Sequence, residues 1–442
     1  MSEEHPLVFR VVRYGLPLVV ALFYLTSSLA FDYTPDSAYT TLIAARSLAT
    51  STPGVTHSDN TSSFSPNPLW VFFVGLGGTL GLDVLLTAKV FSLFFTSVGI
   101  LLVYLVAYEL LRDRLIAFCA ALATAMQSTL LQAAPSGTAH GIALALSLAA
   151  MFFLLRNEYL LATLLAGIST LVFWEGVVLF LVLVADVWMN SVNARRAAKV
   201  IASSACVYGA VLLPWGLYSI AVHGPVIPFL VPFGDFVRGA LDWTKLIVTG
   251  VLAFVGVVLM VRKRGEGQGL LRNQAAAFIW MMCAFGICLV GNSDLWIVVV
   301  PLVIVFAFQG LQRIALSWNR PDVVYSAIVF LAGVLLALSQ MTFTQTTRGA
   351  MAEGMEQSLQ LIPVAYWIKA QVPPDATIQG VRPGILSYYA GREVGQYAMF
   401  ESGQIHAPEY IVTDALRVEG YESVYKPGSA GGTYSYAVWR RR

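Results

Sequence analysis

The feature that most constrains this chain is a succession of twelve apolar runs. They lie near residues 14–31, 67–82, 84–111, 115–133, 140–155, 159–174, 175–188, 200–221, 243–261, 275–290, 296–311 and 323–341. A helix that crosses a bilayer needs roughly 20 apolar residues. Its backbone groups must be satisfied internally, so runs of this kind fold as helices. The sequence therefore predicts an all-α polytopic membrane protein with about 11–13 transmembrane helices. Only 12% of the 442 residues are charged, about half the share usual in soluble proteins. Mean hydropathy is +0.71. A net charge of +2 gives no basic field for nucleic acid, which is excluded as a partner. The first run follows Arg10 and Arg13 and lacks a clean small-residue cleavage site. It reads as a retained first helix rather than a signal peptide.

Basic short loops orient the runs, since Lys and Arg are enriched on the cytoplasmic side. These loops carry Arg112 and Arg114; Arg156; Arg195, Arg196 and Lys199; Arg262, Lys263 and Arg264; and Arg313 and Arg320. Loops 134–139, 222–242 and 291–295, and the turn at Trp174 and Glu175, then face outward. Three runs separate the N-terminal arginines from Arg112, where an even number is required. Either 67–82 enters without crossing, or Arg112 and Arg114 lie outside and 159–188 crosses once. Both solutions leave residues 32–66 and the C-terminal segment outside a plasma (inner) membrane. The expected domains are a membrane module over 1–347 with an external loop at 32–66, and an extracytoplasmic α/β domain over 348–442. In that domain a helix is expected at 350–371 and another at PGILSYYAGR. Strands are expected at TIQGV, EYIVTD, YESVYK and YSYAVWR.

The four cysteines, Cys119, Cys206, Cys283 and Cys288, all sit inside apolar runs. They read as small buried hydrophobes and imply no disulfide. CxxC, HExxH, Walker and GxGxxG patterns are absent, which removes the common metalloprotease and nucleotide-binding readings.

Chemistry concentrates in the first external loop. Asp32, Asp36, Arg46, His57 and Asp59 fall within 28 residues. The segment 36–50 reads as a short amphipathic helix with Asp36 at its start, where a carboxylate suits the helix dipole. Asp32 and Asp36 would share a face if the turn between them were helical; Pro35 opposes that. A transferase acting on a hydroxyl needs a carboxylate to take the acceptor proton. It also needs cations or a metal to balance a departing phosphate. The loop offers both kinds of group. It equally suits a solvated loop in which Asp36 only caps a helix. Beyond the loop, His140 follows APSGTA, Glu175 sits at a break between apolar halves, and Asp294 lies in GNSDLW. A carboxylate at such a break is costly unless it faces protein or water, which makes Glu175 a site candidate.

The run PDSAYTTLIAARSLA, the turn-rich stretch after it and SPNPLW together resemble the first external loop of the GT-C superfamily of membrane glycosyltransferases, in its arabinofuranosyltransferase and mannosyltransferase branch. Asp36 matches that pattern's first aspartate, Tyr39 its tyrosine, Arg46 its arginine, and Pro68, Leu69 and Trp70 its helix start. PSGTAH is similar to the family's Ser-Gly-Met-Glu segment and FWEG to its Arg-Pro-Glu-Gly segment. WIKAQVPPDATI and PGILSYYAGR resemble its external domain. The chain departs at Ser37, where the second aspartate would stand, at His140 in place of the glutamate, and at Trp174 in place of the proline.

The resemblance implies a GT-C fold and a sugar donor carried on polyprenyl phosphate, with transfer at the outer face. The acceptor would be a glycan, lipid or protein, and membrane lipid the surroundings. It implies Asp36 as catalytic base; the reaction expected on that basis is inverting. Arg46 would contact phosphate, supported by His57; Tyr39, Asp32, His140 and Glu175 would line the substrate site. The sequence fixes no cofactor; a divalent cation, Mg or Mn, is the one the loop admits. The rival readings are a transporter or lipid flippase, which would need paired broken helices, and a non-catalytic scaffold on the same fold. A water-filled cavity at Asp36 and Arg46 would favour the enzyme, and a packed site the scaffold.

Overall fold

A computed structural model describes residues 6–28, 34–50, 67–173, 176–191, 193–223, 300–306, 360–396, 408–413, 421–425 and 436–441. The described chain is mostly helical, with a small sheet near its C-terminus. Two compact units partition it. The first comprises Met1–Ser28, Ser92–Ala134 and Ala139–Phe343. The second comprises Leu29–Phe91, Pro135–Thr138 and Thr344–Arg442.

The first unit is helical. Helix α1 spans Pro6–Ser28, and α2 (Asp36–Thr50) and α3 (Pro68–Thr79) belong to the second unit. Helix α4 (Val84–Leu111) contributes its residues from Ser92 onward to the first. Helices α5 (Arg114–Ala125), α6 (Ser128–Ala133), α7 (His140–Leu155), α8 (Tyr159–Thr170), α9 (Gly176–Asn190) and α10 (Ala194–His223) follow, with a short helical piece, α11, at 300–306. Asp113 starts α5 as its cap, its carboxylate accepting the Leu115 and Ile116 N–H groups at 2.9 and 3.1 Å, the usual device for orphan donors at a helix start. The core is alanine- and leucine-rich, with Ala120, Ala121, Leu144 and Ala162 fully buried. Small residues let helices approach: a Cβ at Gly141 of α7 would strike the Ser92 carbonyl and the Thr96 hydroxyl of α4.

Among the described residues, α4 and the Ala194–Tyr218 part of α10 are long and apolar enough to cross a membrane. The apolar helices α3, α7, α8 and α9 are shorter, at 12 to 16 residues. At about 1.5 Å per residue the twelve residues of α3 rise about 18 Å, well short of a bilayer core of about 30 Å. The runs expected at 243–261, 275–290 and 323–341, and the loops 222–242 and 291–295, lie largely or wholly outside the described residues.

In the second unit the chain near its C-terminus forms a five-stranded sheet. The strands are β1 (Ile378–Gly380), β2 (Gly395–Gln396), β3 (Tyr410–Thr413), β4 (Tyr421–Tyr425) and β5 (Ala437–Arg441), in the order β2-β1-β3-β5-β4. Helix α12 runs over 360–371, and α13 (Pro383–Ala390) connects β1 to β2, which pair in parallel. Each strand expected from the sequence is present; β2, only two residues long, is additional. Pro383 opens α13, where its missing N–H costs nothing. Gly391 closes it in the left-handed region at φ +67°. Arg392 fixes the connection: its guanidinium donates to the carbonyls of Val372, Pro373, Pro374 and Ala376 at 2.6 to 3.1 Å.

Candidate functional site

The first-loop helix α2 starts at Asp36, and Thr34 and Pro35 before it are not helical. Proline restrains the preceding residue away from helix. Helix α2 thus gains no helical residue ahead of Asp36 from the described chain, and Asp32 lies outside the described residues. The buried face of α2 is Ala38, Tyr39, Thr41, Leu42 and Ala45, at helical spacing. Helix α3 packs on α2 through glycines. A Cβ at Gly75 would lie 3.1 Å from the Ala45 carbonyl oxygen and 2.8 Å from Leu48 Cδ2, and one at Gly78 2.7 Å from Ala49 Cβ. Leu48, expected as an apolar contact, is 48% exposed yet seals the Gly75 notch.

Against α2 also lies α13, and the two charged residues matched to the family pattern, Asp36 and Arg46, meet it. The Asp36 carboxylate accepts two main-chain N–H groups: Ile385 at 2.8 Å on Oδ1 and Gly384 at 3.2 Å on Oδ2. These are orphan donors of the first turn of α13. At the other end of α13, Arg46 donates through Nη1 to the Tyr388 carbonyl oxygen at 2.9 Å. Its guanidinium carbon lies 3.7 Å above the Tyr388 ring centre. A carboxylate thus sits at the positive end of the α13 dipole and a guanidinium at the negative end, the favourable pairing at both termini. Both side chains remain half-buried rather than sealed. Ser37, at the position of the family's second aspartate, is exposed.

Tyr39 completes the contact. Its ring lies 5.2 Å from that of Tyr388 and 6.1 Å from that of Tyr389, and Tyr366 continues the cluster at 6.1 Å from Tyr389. Burial, with Tyr389 alongside, pushes the Tyr39 phenol above its ordinary range. Burial also raises the Tyr388 and Tyr389 phenols, against the opposing pull of Arg46.

The remaining sequence candidates fall elsewhere. His140 begins α7 in the first unit, half-buried, its ring 5.6 Å from that of Phe173. Asp32, His57, Asp59, Glu175 and Asp294 lie outside the described residues. Two charged groups in the second unit were passed over. Lys89 is buried at 6% exposure in an otherwise apolar stretch of α4, with Gly137 of the Pro135–Thr138 turn over its stem. Asp83 caps α4, accepting the Leu86 N–H at 2.7 Å. The signal for Lys89 was available: a cation inside a run long enough to span is a functional candidate by default. Among the described residues no group of three His, Cys, Asp or Glu side chains converges on one point. With Ser37 in place of the second aspartate and both Asp36 oxygens bonded to α13, these residues do not make a two-carboxylate metal site.

Chemically the arrangement presents an oriented carboxylate beside a cation and a phenol cluster. Each Asp36 oxygen receives one N–H, so lone pairs remain to accept a further proton.

No protein-family model and no curated protein matches the sequence. Solved structures match in fold. The archaeal oligosaccharyltransferase AglB from Archaeoglobus fulgidus, solved with an inhibitory peptide and a dolichol-phosphate, aligns at a TM-score of 0.58 and 13% identity over 87% of this chain. This chain spans 65% of the AglB chain, under two thirds of its length. ArnT from Cupriavidus metallidurans, bound to undecaprenyl phosphate, aligns at 0.57 and 15% identity over 96% of this chain and 97% of that one. The apo form of ArnT aligns at 0.53 and 17% identity over 86% and 85%. Both neighbours are GT-C superfamily proteins. The similarity read from the first loop therefore holds at the level of fold, which this chain shares with AglB and ArnT, and its apolar helices suit an integral membrane protein.

Proposed function

We propose that this chain is a glycosyltransferase that moves a sugar from a polyprenyl-phosphate carrier to a hydroxyl acceptor. The observation that carries the reading is the shared fold with AglB and ArnT, whose structures hold a dolichol-phosphate and undecaprenyl phosphate. In the reaction, the acceptor oxygen attacks the anomeric carbon while the carbon–oxygen bond to phosphate breaks. Asp36 takes the acceptor proton, and the carrier leaves as polyprenyl phosphate. A single displacement of this kind inverts the anomeric centre. Arg46 is the phosphate contact on the first-loop helix, since its fork matches phosphate geometry. Lys89 is a second cation in the same unit. The acceptor is a glycan, lipid or protein hydroxyl.

The length of α3 supports the topology in which 67–82 enters without crossing. That choice restores the parity of the basic loops and leaves the first loop and the C-terminal domain on the outer side.

The scaffold reading is favoured by one observation: both Asp36 oxygens are already bonded to α13. Asp36→Asn separates the two. In the enzyme, turnover on a panel of undecaprenyl-phosphate monosaccharides falls by about 10²–10⁴-fold, the usual range for a lost general base, and binding of undecaprenyl phosphate changes little. Near-normal turnover of Asp36→Asn would falsify the assignment of the base. Absence of transfer by the unmodified protein with every donor of the panel favours the scaffold.

A further inference from the structure

We propose that Gly384 and the first turn of α13 are positioning elements for the Asp36 carboxylate, so that the C-terminal domain is part of the transfer site. The inference rests on the reading of Asp36 as base. Its own grounds are three independent features of the second unit.

The first is the donor pair. Ile385 and Gly384 offer N–H groups at 2.8 and 3.2 Å, one to each carboxylate oxygen. Two fixed donors on two oxygens define the plane of the carboxylate as well as its place. Main-chain donors on a helix do this without rotamer freedom, the kind of support that precise positioning requires.

The second is Gly384 itself. Its φ lies outside the left-handed region, so backbone conformation does not demand glycine here. Space does. A Cβ at Gly384 would collide with the Asp36 carbonyl oxygen and lie 2.9 Å from Oδ1 and 3.0 Å from Cγ. All three atoms belong to the one residue assigned to chemistry, and a backbone carbonyl cannot swing aside as a flexible side chain can.

The third is the clamp at the far end of α13. Arg46 holds the Tyr388 carbonyl and stacks on its ring. Anchored at both ends, α13 cannot rotate to relieve a disturbance at Gly384, so the disturbance passes to Asp36.

The test uses the full chain in detergent or nanodiscs. Gly384→Ala should lower turnover on the undecaprenyl-phosphate monosaccharide panel by about 10²-fold, the scale of a misplacement near 1 Å. The donor KM should stay within about twofold, and the double variant Asp36→Asn with Gly384→Ala should be no slower than Asp36→Asn alone. Limited proteolysis of the C-terminal domain reports whether Gly384→Ala stays docked. If it does not, Asp36→Glu serves instead: it keeps the carboxylate and the fold but lengthens the side chain by one methylene, and should cost roughly 10–10²-fold in kcat alone. Wild-type kcat in a docked Gly384→Ala, or in Asp36→Glu, overturns the positioning role. So does additive loss in the double variant. An active Asp36→Asn instead sinks the base assignment beneath it, which separates the two failures.

Discussion

The α4–α7 crossing in the first unit and the α2–α13 contact in the second are held by different physics. At the crossing, Gly99 admits Leu144 and Gly141 admits the Ser92 carbonyl and Thr96. The ion pair between the two helices lies away from these glycines, where Arg156 at the end of α7 meets Glu109 of α4 at 3.1 Å. Among lipid tails there is no hydrophobic gain in bringing two helices together, so association depends on close backbone approach and van der Waals packing. The α2–α13 contact joins segments about 350 residues apart through a carboxylate, a guanidinium and tilted phenol rings. The first is a matter of shape and the second of charge and aromatic geometry, so each breaks under a different perturbation.

The largest effect is expected where shape has no slack. Gly141→Leu drives a side chain into the α4 backbone, and overpacking of that kind costs about 1–3 kcal/mol. The substitution should sit at the upper end of that range, because the obstructing atom is a carbonyl oxygen. Thermal inactivation in detergent should show a clear fall in midpoint. The α2–α13 contact, probed by proteolysis of the C-terminal domain below that midpoint, should be unchanged. Coincident loss of both would mean that the two contacts are not energetically separable.

Next in size is Arg392→Ala. Its guanidinium ties four carbonyls between Val372 and Ala376. Charged hydrogen bonds contribute about 1.5–3 kcal/mol each, but Arg392 is only half-buried, so solvent and non-additivity reduce the sum to about 2 kcal/mol. Loss should be confined to the C-terminal domain, read as faster proteolysis near residues 372–376. Arg392→Lys should recover little, since an ammonium cannot span four acceptors.

The same contrast explains what could be read in advance. The apolar runs were legible because hydropathy is local, and the strands β1, β3, β4 and β5 because alternation and turn residues are local as well. Asp36, Tyr39 and Arg46 were legible as a group because one short helix carries them. Their partners were not. Nothing near Asp36 announces that Gly384 and Ile385 complete its coordination, and nothing near Arg46 points to Tyr388. Lys89 was missed for another reason: its charge, with that of Glu109, barely alters the apolarity of a 28-residue helix, although its place well inside the run is what makes it informative. The extent of each span was also beyond the sequence. An apolar run reports composition, whereas Gly81, in the left-handed region at φ +81°, marks where the chain turns after α3.

Alkaline pH offers a milder perturbation aimed at the second contact. Tyr39, Tyr388 and Tyr389 have phenols raised from 10.0 chiefly by burial. Below pH 10 the phenols are neutral whether docked or undocked, and the contact keeps its full strength. As pH rises past 10, the undocked phenols ionise first and the docked state loses ground. Release of the C-terminal domain should therefore begin above about pH 10, measured by proteolysis in a pH series. Tyr39→Phe should push the onset higher. An onset that Tyr39→Phe leaves in place would assign the loosening to other groups.

The smallest effect, and the most discriminating, is that of Arg46→Lys. The substitution keeps a positive charge near the C-terminal end of α13, so the dipole attraction survives. It removes the planar stack on Tyr388, which is 3.7 Å from the guanidinium carbon, and makes the bond to the Tyr388 carbonyl less directed. A cation over a tyrosine contributes about 0.5–1 kcal/mol when partly exposed, so docking should weaken by no more than about fivefold. If Arg46 also holds the donor phosphate, the loss of its fork appears separately, as a higher KM for undecaprenyl-phosphate monosaccharides with kcat nearly unchanged. A clamp alone predicts looser docking with an unaltered KM. A phosphate contact alone predicts a raised KM with docking intact. Both changes together, each modest, are the expected outcome, because Nη1 is committed to the Tyr388 carbonyl while Arg46 as a whole remains half-buried. Docking and KM that both match the wild type would remove Arg46 from the site and leave charge alone to explain its place on α2.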